Sequence, residues 1–77
     1  MPVTAYVLIQ HEVGKVNVAK QVSAIDGVTS AEEVTGPYDV IVQVEAGSMD
    51  DLGRMIVSRI QLVEGITRTV TCPVVNL

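Results

Sequence analysis

The 77-residue chain lacks most of the residue types from which small proteins build catalytic or metal-bearing sites. Cys72 is its one cysteine, so an intrachain disulfide is excluded, and a lone thiol suits a reducing compartment. The one histidine, His11, stands far along the chain from Cys72, and the two make no metal-ligand cluster. Neither a metal nor a cofactor is expected. Phe and Trp are absent and only two tyrosines occur, too few aromatics for a base-stacking surface. Five basic residues, Lys15, Lys20, Arg54, Arg59 and Arg68, are scattered among nine acidic ones, giving a net charge of −4. With no basic stripe, direct nucleic-acid binding is not expected. No apolar run approaches the length of a membrane span. The opening MPVTAYVLIQHE has no basic stretch followed by a long apolar one, so no signal peptide is expected and the cytoplasm is the expected location.

What the chain does have is apolar surface, with 48% hydrophobic residues. A chain this short buries only about 60% of its unfolded surface, which leaves its own core marginal. Small domains make good the deficit with disulfides, a metal or a partner subunit. The first two are missing here. Homo-oligomerisation is therefore expected to supply the stability, with part of the apolar surface covering another copy.

Val3 to Gln10 alternates and reads as a strand. Lys15 to Ile25 reads as a helix, with Val18, Ala19, Val22 and Ile25 on one face, stopped by Asp26-Gly27. Val28 to Thr35 is a weaker strand, and Val40 to Ala46 a strongly β-branched one. Ser48-Met49-Asp50-Asp51 forms a capping box for a helix running to about Leu62, which buries Met49, Leu52, Ile56, Ile60 and Val63. Ile66 to Val75 is the last strand. Pro73 cannot donate to a ladder, which places that strand at a sheet edge.

The two halves echo each other. "VLIQHEVG" from Val7 resembles "VIVQVEAG" from Val40, and "IDGVTSAEEV" from Ile25 resembles "VEGITRTVTC" from Val63. The order βαββαβ with two right-handed crossovers gives an α+β, ferredoxin-like sandwich. One domain over residues 1–77 is expected, with a four-stranded antiparallel sheet in the order 4-1-3-2 and both helices on one face. Val7, Ile9, Val40, Val42, Val44, Val70 and Val74 are expected to point at the helices. The other face would show Tyr6, Leu8, Ile41 and Val75, with Arg68 and the row Thr67, Thr69 and Thr71. Such a face is too apolar to stay wet, since each large side chain buried stabilises by about 2–3 kcal/mol. Two sheets packed face to face would make a homodimer.

The fold hosts unrelated activities, so function must come from a site. Metal chaperones of this topology need a C-x-x-C, and iron–sulfur ferredoxins need four cysteines. Acylphosphatase-like chemistry needs an arginine and a glycine-rich anion loop before the first helix. None is present. The feature that stands out is Thr35-Gly36-Pro37-Tyr38-Asp39. As a plain hairpin it requires no ligand, because Gly, Pro and an Asp that caps its own backbone suffice. Elsewhere, His11 reads as a solvated strand end and Cys72 as a small hydrophobe.

Over essentially its whole length the chain resembles the effector-binding domain of the Lrp/AsnC family of amino-acid-responsive regulators. The stretches that carry the resemblance are "AYVLIQHEVGK", "IDGVTSAEEVTGPYDVIVQVEA", "MDDLGRMI" and "VEGITRTVTCPVV". The family's N-terminal helix-turn-helix is not in this sequence, which reads as a stand-alone form of the domain. The resemblance implies dimers joined through their sheets, dimers gathered into octamer-like rings, and an amino acid bound between dimers near the β2–β3 turn. It assigns ligand contacts to Gly36, Tyr38 and Asp39, to which the turn chemistry adds Thr35 and Pro37. Asp39 would pair with the ammonium, backbone N–H groups around Gly36 would meet the carboxylate, and Tyr38 would wall the side chain. The implied role is regulatory and non-enzymatic, with full-length relatives as candidate partners. Two rivals share the topology. One is a dimeric α+β-barrel monooxygenase or isomerase working without a cofactor, which needs a roomy pocket between sheet and helices. The other is an ACT-like regulatory domain.

Overall fold

Each stretch of alternation becomes a strand in the computed structural model, which describes residues 2–75. Strand β1 spans Val3–His11, helix α1 Val18–Ser23, β2 Val28–Glu33 and β3 Val40–Ala46. Helix α2, Met49–Met55, continues as a π-helical turn over Ile56–Ile60, and β4 spans Ile66–Pro73. The four strands form one antiparallel sheet in the order β2-β3-β1-β4, so Pro73 lies on an edge strand as its missing N–H requires. The internal repeat is also visible in the backbone. Glu12 N–H donates to Gly65 C=O at 2.8 Å, and the equivalent Glu45 N–H donates to Gly27 C=O at 2.8 Å. In both halves the end of a long strand is thus pinned to the glycine that follows a helix.

One face of the sheet holds the core. Ala5, Val7, Ile9, Val40, Val42 and Val44 from the strands pack with Val18, Val22, Leu52, Ile56 and Ile60 from the helices, and none of these is more than 7% exposed. These are short, β-branched or compact side chains at period two on the strands and at three- to four-residue spacing on the helices. No polar or charged side chain is buried among the described residues.

Both helices are shorter than the sequence pattern predicts. Asn17 enters α1 with φ at 67°, a left-handed conformation that asparagine tolerates but a helix cannot contain, so Lys15 and Val16 stay outside it. Ser48 caps α2 as expected, its hydroxyl accepting from Asp51 N–H at 3.1 Å, with Asp50 and Asp51 in the first turn. Farther on, the Ser58 hydroxyl donates to the Arg54 carbonyl and competes with the helical ladder. The chain there widens into the π turn, closed by Gln61 N–H to Ile56 C=O at 2.8 Å. Ile56 and Ile60 consequently both face the core. Met49, expected to be buried, is 54% exposed as the first residue of α2.

The facing of β4 also differs from expectation. Val70 stands opposite Leu8 and Cys72 opposite Tyr6, whereas Thr69 and Thr71 stand opposite the buried Ile9 and Val7. Directly paired residues share a face. Val70 therefore joins Tyr6, Leu8 and Ile41 on the open side, and Val74, whose N–H donates to Thr4 C=O at 2.8 Å, follows it. Thr69 and Thr71 turn toward the helices, where Thr69 accepts from Gln61 Nε2 at 3.0 Å. The register shift between Gln10 and His11, opposite Thr67, breaks the strand's simple alternation. The open face keeps Arg68, opposite Gln10, and gains two valines.

Candidate functional site

The loop from Val34 to Asp39 is stapled by backbone. Val34 N–H donates to Asp39 C=O at 2.9 Å, and Asp39 N–H donates to Ile9 C=O at 2.8 Å on the neighbouring strand. Two side-chain bonds fasten the loop to the same strand. Asp39 Oδ2 accepts from the part-buried His11 N–H at 2.9 Å, and Gln10 Nε2 donates to Pro37 C=O at 2.7 Å. The aspartate thus caps a strand end, but the end of β1 and not its own turn. Gly36 has φ at 122°, a conformation that L side chains rarely adopt, yet a Cβ there would meet nothing within 4 Å. Its glycine is required by the backbone path and leaves open space above the loop. Thr35, Gly36 and Pro37 are exposed, while Tyr38 and Asp39 are half-buried.

Asp39 also borders a hollow of about 290 Å³, together with His11, Lys15, Val16, Glu33 and Val34. Of the five candidate residues only Asp39 lines it. Thr35, Gly36, Pro37 and Tyr38 belong to the outer part of the loop. Lys15 and Glu33 were not singled out from the sequence, and nothing in their local pattern marks them. The position of Lys15 is set from across the fold. Its stem lies over Gly65, where a Cβ would come within 2.8 Å of Lys15 Cγ and 3.1 Å of Cε. Its ammonium sits 3.2 Å from Glu64 Oε1, a pair at the surface that contributes little to stability. The His11 ring places Nδ1 2.9 Å from Glu12 C=O. A carbonyl can only accept, so Nδ1 carries the proton and Nε2 of the neutral ring is an acceptor.

A second, apolar crevice of about 210 Å³ lies where α2 meets β4, lined by Met49, Leu52, Gly53, Ile56, Val57 and Thr71. It offers no acid or base. The room between sheet and helices is otherwise filled by the core side chains. No described helix is long and apolar enough to cross a membrane.

A family model described as the Lrp/AsnC ligand binding domain matches residues 4–76. An uncharacterised HTH-type transcriptional regulator of Pyrococcus furiosus is 29% identical over 72 residues, 88% of this chain and 48% of that protein. The chain thus spans about half the length of the curated regulators it matches. The crystal structure of FFRP-DM1 superposes with a TM-score of 0.88 at 34% identity, covering 95% of this chain and 99% of that one. The feast or famine regulatory protein of M. tuberculosis, solved complexed with L-methionine, shares the fold with a TM-score of 0.82 at 21% identity, over 97% of this chain and 51% of that one. A partial likeness of another kind also occurs: 54 residues are 37% identical to a stretch forming 12% of homocitrate synthase from Sulfurisphaera tokodaii.

Proposed function

Because the chain belongs to the Lrp/AsnC ligand-binding domain family, we propose that it is a non-enzymatic module that binds a free amino acid at the loop between β2 and β3. Its role is regulatory, in transcription or in amino-acid metabolism. The observation that carries this reading is the Gly36-Pro37-Tyr38-Asp39 loop, stapled to β1 by Asp39 and Gln10 and open on its outer side. A loop fixed before the ligand arrives loses little entropy on binding. The L-methionine bound by the M. tuberculosis protein supports the ligand class, and the regulators among the relatives support the role. The likeness to part of a biosynthetic enzyme supports a domain that serves different host proteins.

The open face of the sheet supports a specific assembly. Tyr6, Leu8, Ile41 and Val70 form an apolar centre on it, flanked by Glu32, Gln43 and Arg68. A second copy laid face to face covers that centre and makes a homodimer, and dimers meeting at their β2–β3 loops gather into rings that complete the ligand sites. Full-length relatives that share the fold can co-assemble with it, which would bring effector sensing to a DNA-binding partner while this chain itself touches no DNA. The setting is cytoplasmic. Calorimetric titration with the twenty amino acids at millimolar concentration, paired with light scattering, tests the reading. Heat and a change of mass with a subset of them is the expected result; no heat and no mass change with any would refute it.

A further inference from the structure

We infer that the hollow beside Asp39 recognises both main-chain charges of the effector, with Lys15 as the carboxylate-binding residue and Glu33 joining Asp39 at the ammonium. This rests on the amino-acid reading above and adds the residues that would read the ligand's backbone. Three observations converge. First, one cation and two carboxylates line the same small hollow. Second, they are not paired with one another: among the described residues the one ion pair of Lys15 is to Glu64, outside the hollow, and neither Glu33 nor Asp39 lies in an ion pair. Opposite charges held across a gap and left unjoined fit a guest carrying both signs. Third, the stem that carries the cation is held in place. The Lys15 stem is laid along Gly65, which has no side chain to displace it, and its side chain is only 34% exposed.

The acceptor side is equally specific. Asp39 spends Oδ2 on His11 N–H and keeps Oδ1 free. Glu33 is exposed at the end of β2, and His11 borders the same hollow. An ammonium has three donors, and the carboxylates of Glu33 and Asp39 supply acceptors for it at this hollow. Its volume lies at the small end of ligand sites, so it suits a free amino acid and not a nucleotide. Val16 and Val34 leave an apolar wall for the start of a side chain. Glu64 then acts as a parking partner for Lys15 in the empty site, a weak one because its own carboxylate is 88% exposed.

The test is calorimetric. The twenty L-amino acids are titrated into the intact chain, followed by the amide and the N-acetyl derivative of the tightest binder. Both derivatives should bind at least about tenfold more weakly, since each removes one charged contact. Lys15→Met keeps the stem over Gly65 and removes only the cation. It should weaken the free amino acid about tenfold or more while barely affecting the amide. Glu64→Gln releases Lys15 from its parking partner and should bind at least as tightly as the unaltered chain. Equal affinity for acid and amide, or undiminished binding by Lys15→Met, overturns the inference while leaving the proposed function intact. A loss in Glu64→Gln matching that in Lys15→Met also overturns it, because Lys15 would then act only by bracing that corner. If no amino acid binds at all, both readings fall together.

Discussion

Replacing Asp39 should separate its structural duty from its binding duty. Asp39→Ala leaves the part-buried His11 N–H without its acceptor, a bond of 2.9 Å to a charged oxygen. Hydrogen bonds of that kind contribute about 1.5–3 kcal/mol, so a loss of about 2 kcal/mol is expected. For a domain of this size that corresponds to a fall in Tm of roughly 8–16 °C. Asp39→Asn retains a side-chain oxygen for the same N–H but not the charge. Neutral acceptors hold about half as strongly, which gives a loss of about 1 kcal/mol and a fall of roughly 4–8 °C. Binding should rank the variants differently. Both lack the carboxylate that meets the ammonium, so both should bind the amino acid about tenfold or more weakly than the unaltered chain. Urea unfolding at one fixed protein concentration measures the first quantity, because any dimer makes stability depend on concentration. Calorimetry measures the second. If Asn and Ala destabilise equally, the His11 contact is not what Asp39 supplies. If Asp39→Asn binds as tightly as the original, the assignment of the ammonium is wrong.

Other substitutions probe the assembly and the frame. Ile41 is 36% exposed on the open sheet face, and Ile41→Lys should weaken the dimer at least about 100-fold, since a two-fold interface loses the burial twice. Glu32 stands opposite position 41 and gives the new lysine a neighbour of opposite charge, so the subunit should still fold; sedimentation at graded concentrations reads the result. Gly27→Ala would bring a Cβ within 3.0 Å of the Glu45 carbonyl oxygen at φ of 94° and should cost about 2 kcal/mol or more, whereas Gly14→Ala, at φ of 85° in open space, should cost about 1 kcal/mol in the same urea assay. Ser48→Ala removes the acceptor for Asp51 N–H and should lower stability by about 1 kcal/mol.

Much of the frame was legible because local and tertiary demands agree. Strand β3 occupies Val40–Ala46 as predicted, since a β-branched run buried at every second residue has one stable arrangement. The Ser48 cap and the edge position of Pro73 follow from groups that a backbone must satisfy or lacks. The facing of β4 was not legible. In a strand reading Thr-Arg-Thr-Val-Thr-Cys, apolarity suggests that Val70 faces inward, but the pairing with β1 turns Thr69 and Thr71 inward instead. At the rim of the helix layer a threonine can place its methyl inward and satisfy its hydroxyl, as Thr69 does with Gln61. The helix ends escaped prediction because a left-handed Asn17 and a π turn at Ile56–Ile60 are not encoded in a period.

The candidate loop was read from its own residues, and Asp39 lies where its strap to β1 can be formed. The hollow beside it could not be read that way. Lys15 comes from the β1–α1 connection and Glu33 from the end of β2, and the glycine that seats the lysine is Gly65, next to β4. Folding alone brings these segments together. That is the general difficulty with small binding sites: their chemistry is spread over loops whose local sequence carries only turn signals.

The proposed assembly requires the apolar side of the sheet, with Tyr6 and Ile41 exposed on it, to be shielded by another copy. Multi-angle light scattering of the purified chain, taken from about one to one hundred micromolar, addresses this directly. A mass of at least two chains is expected throughout that range, with the Ile41→Lys variant falling to one. A folded wild-type protein running at the mass of a single 8.2 kDa chain would contradict it.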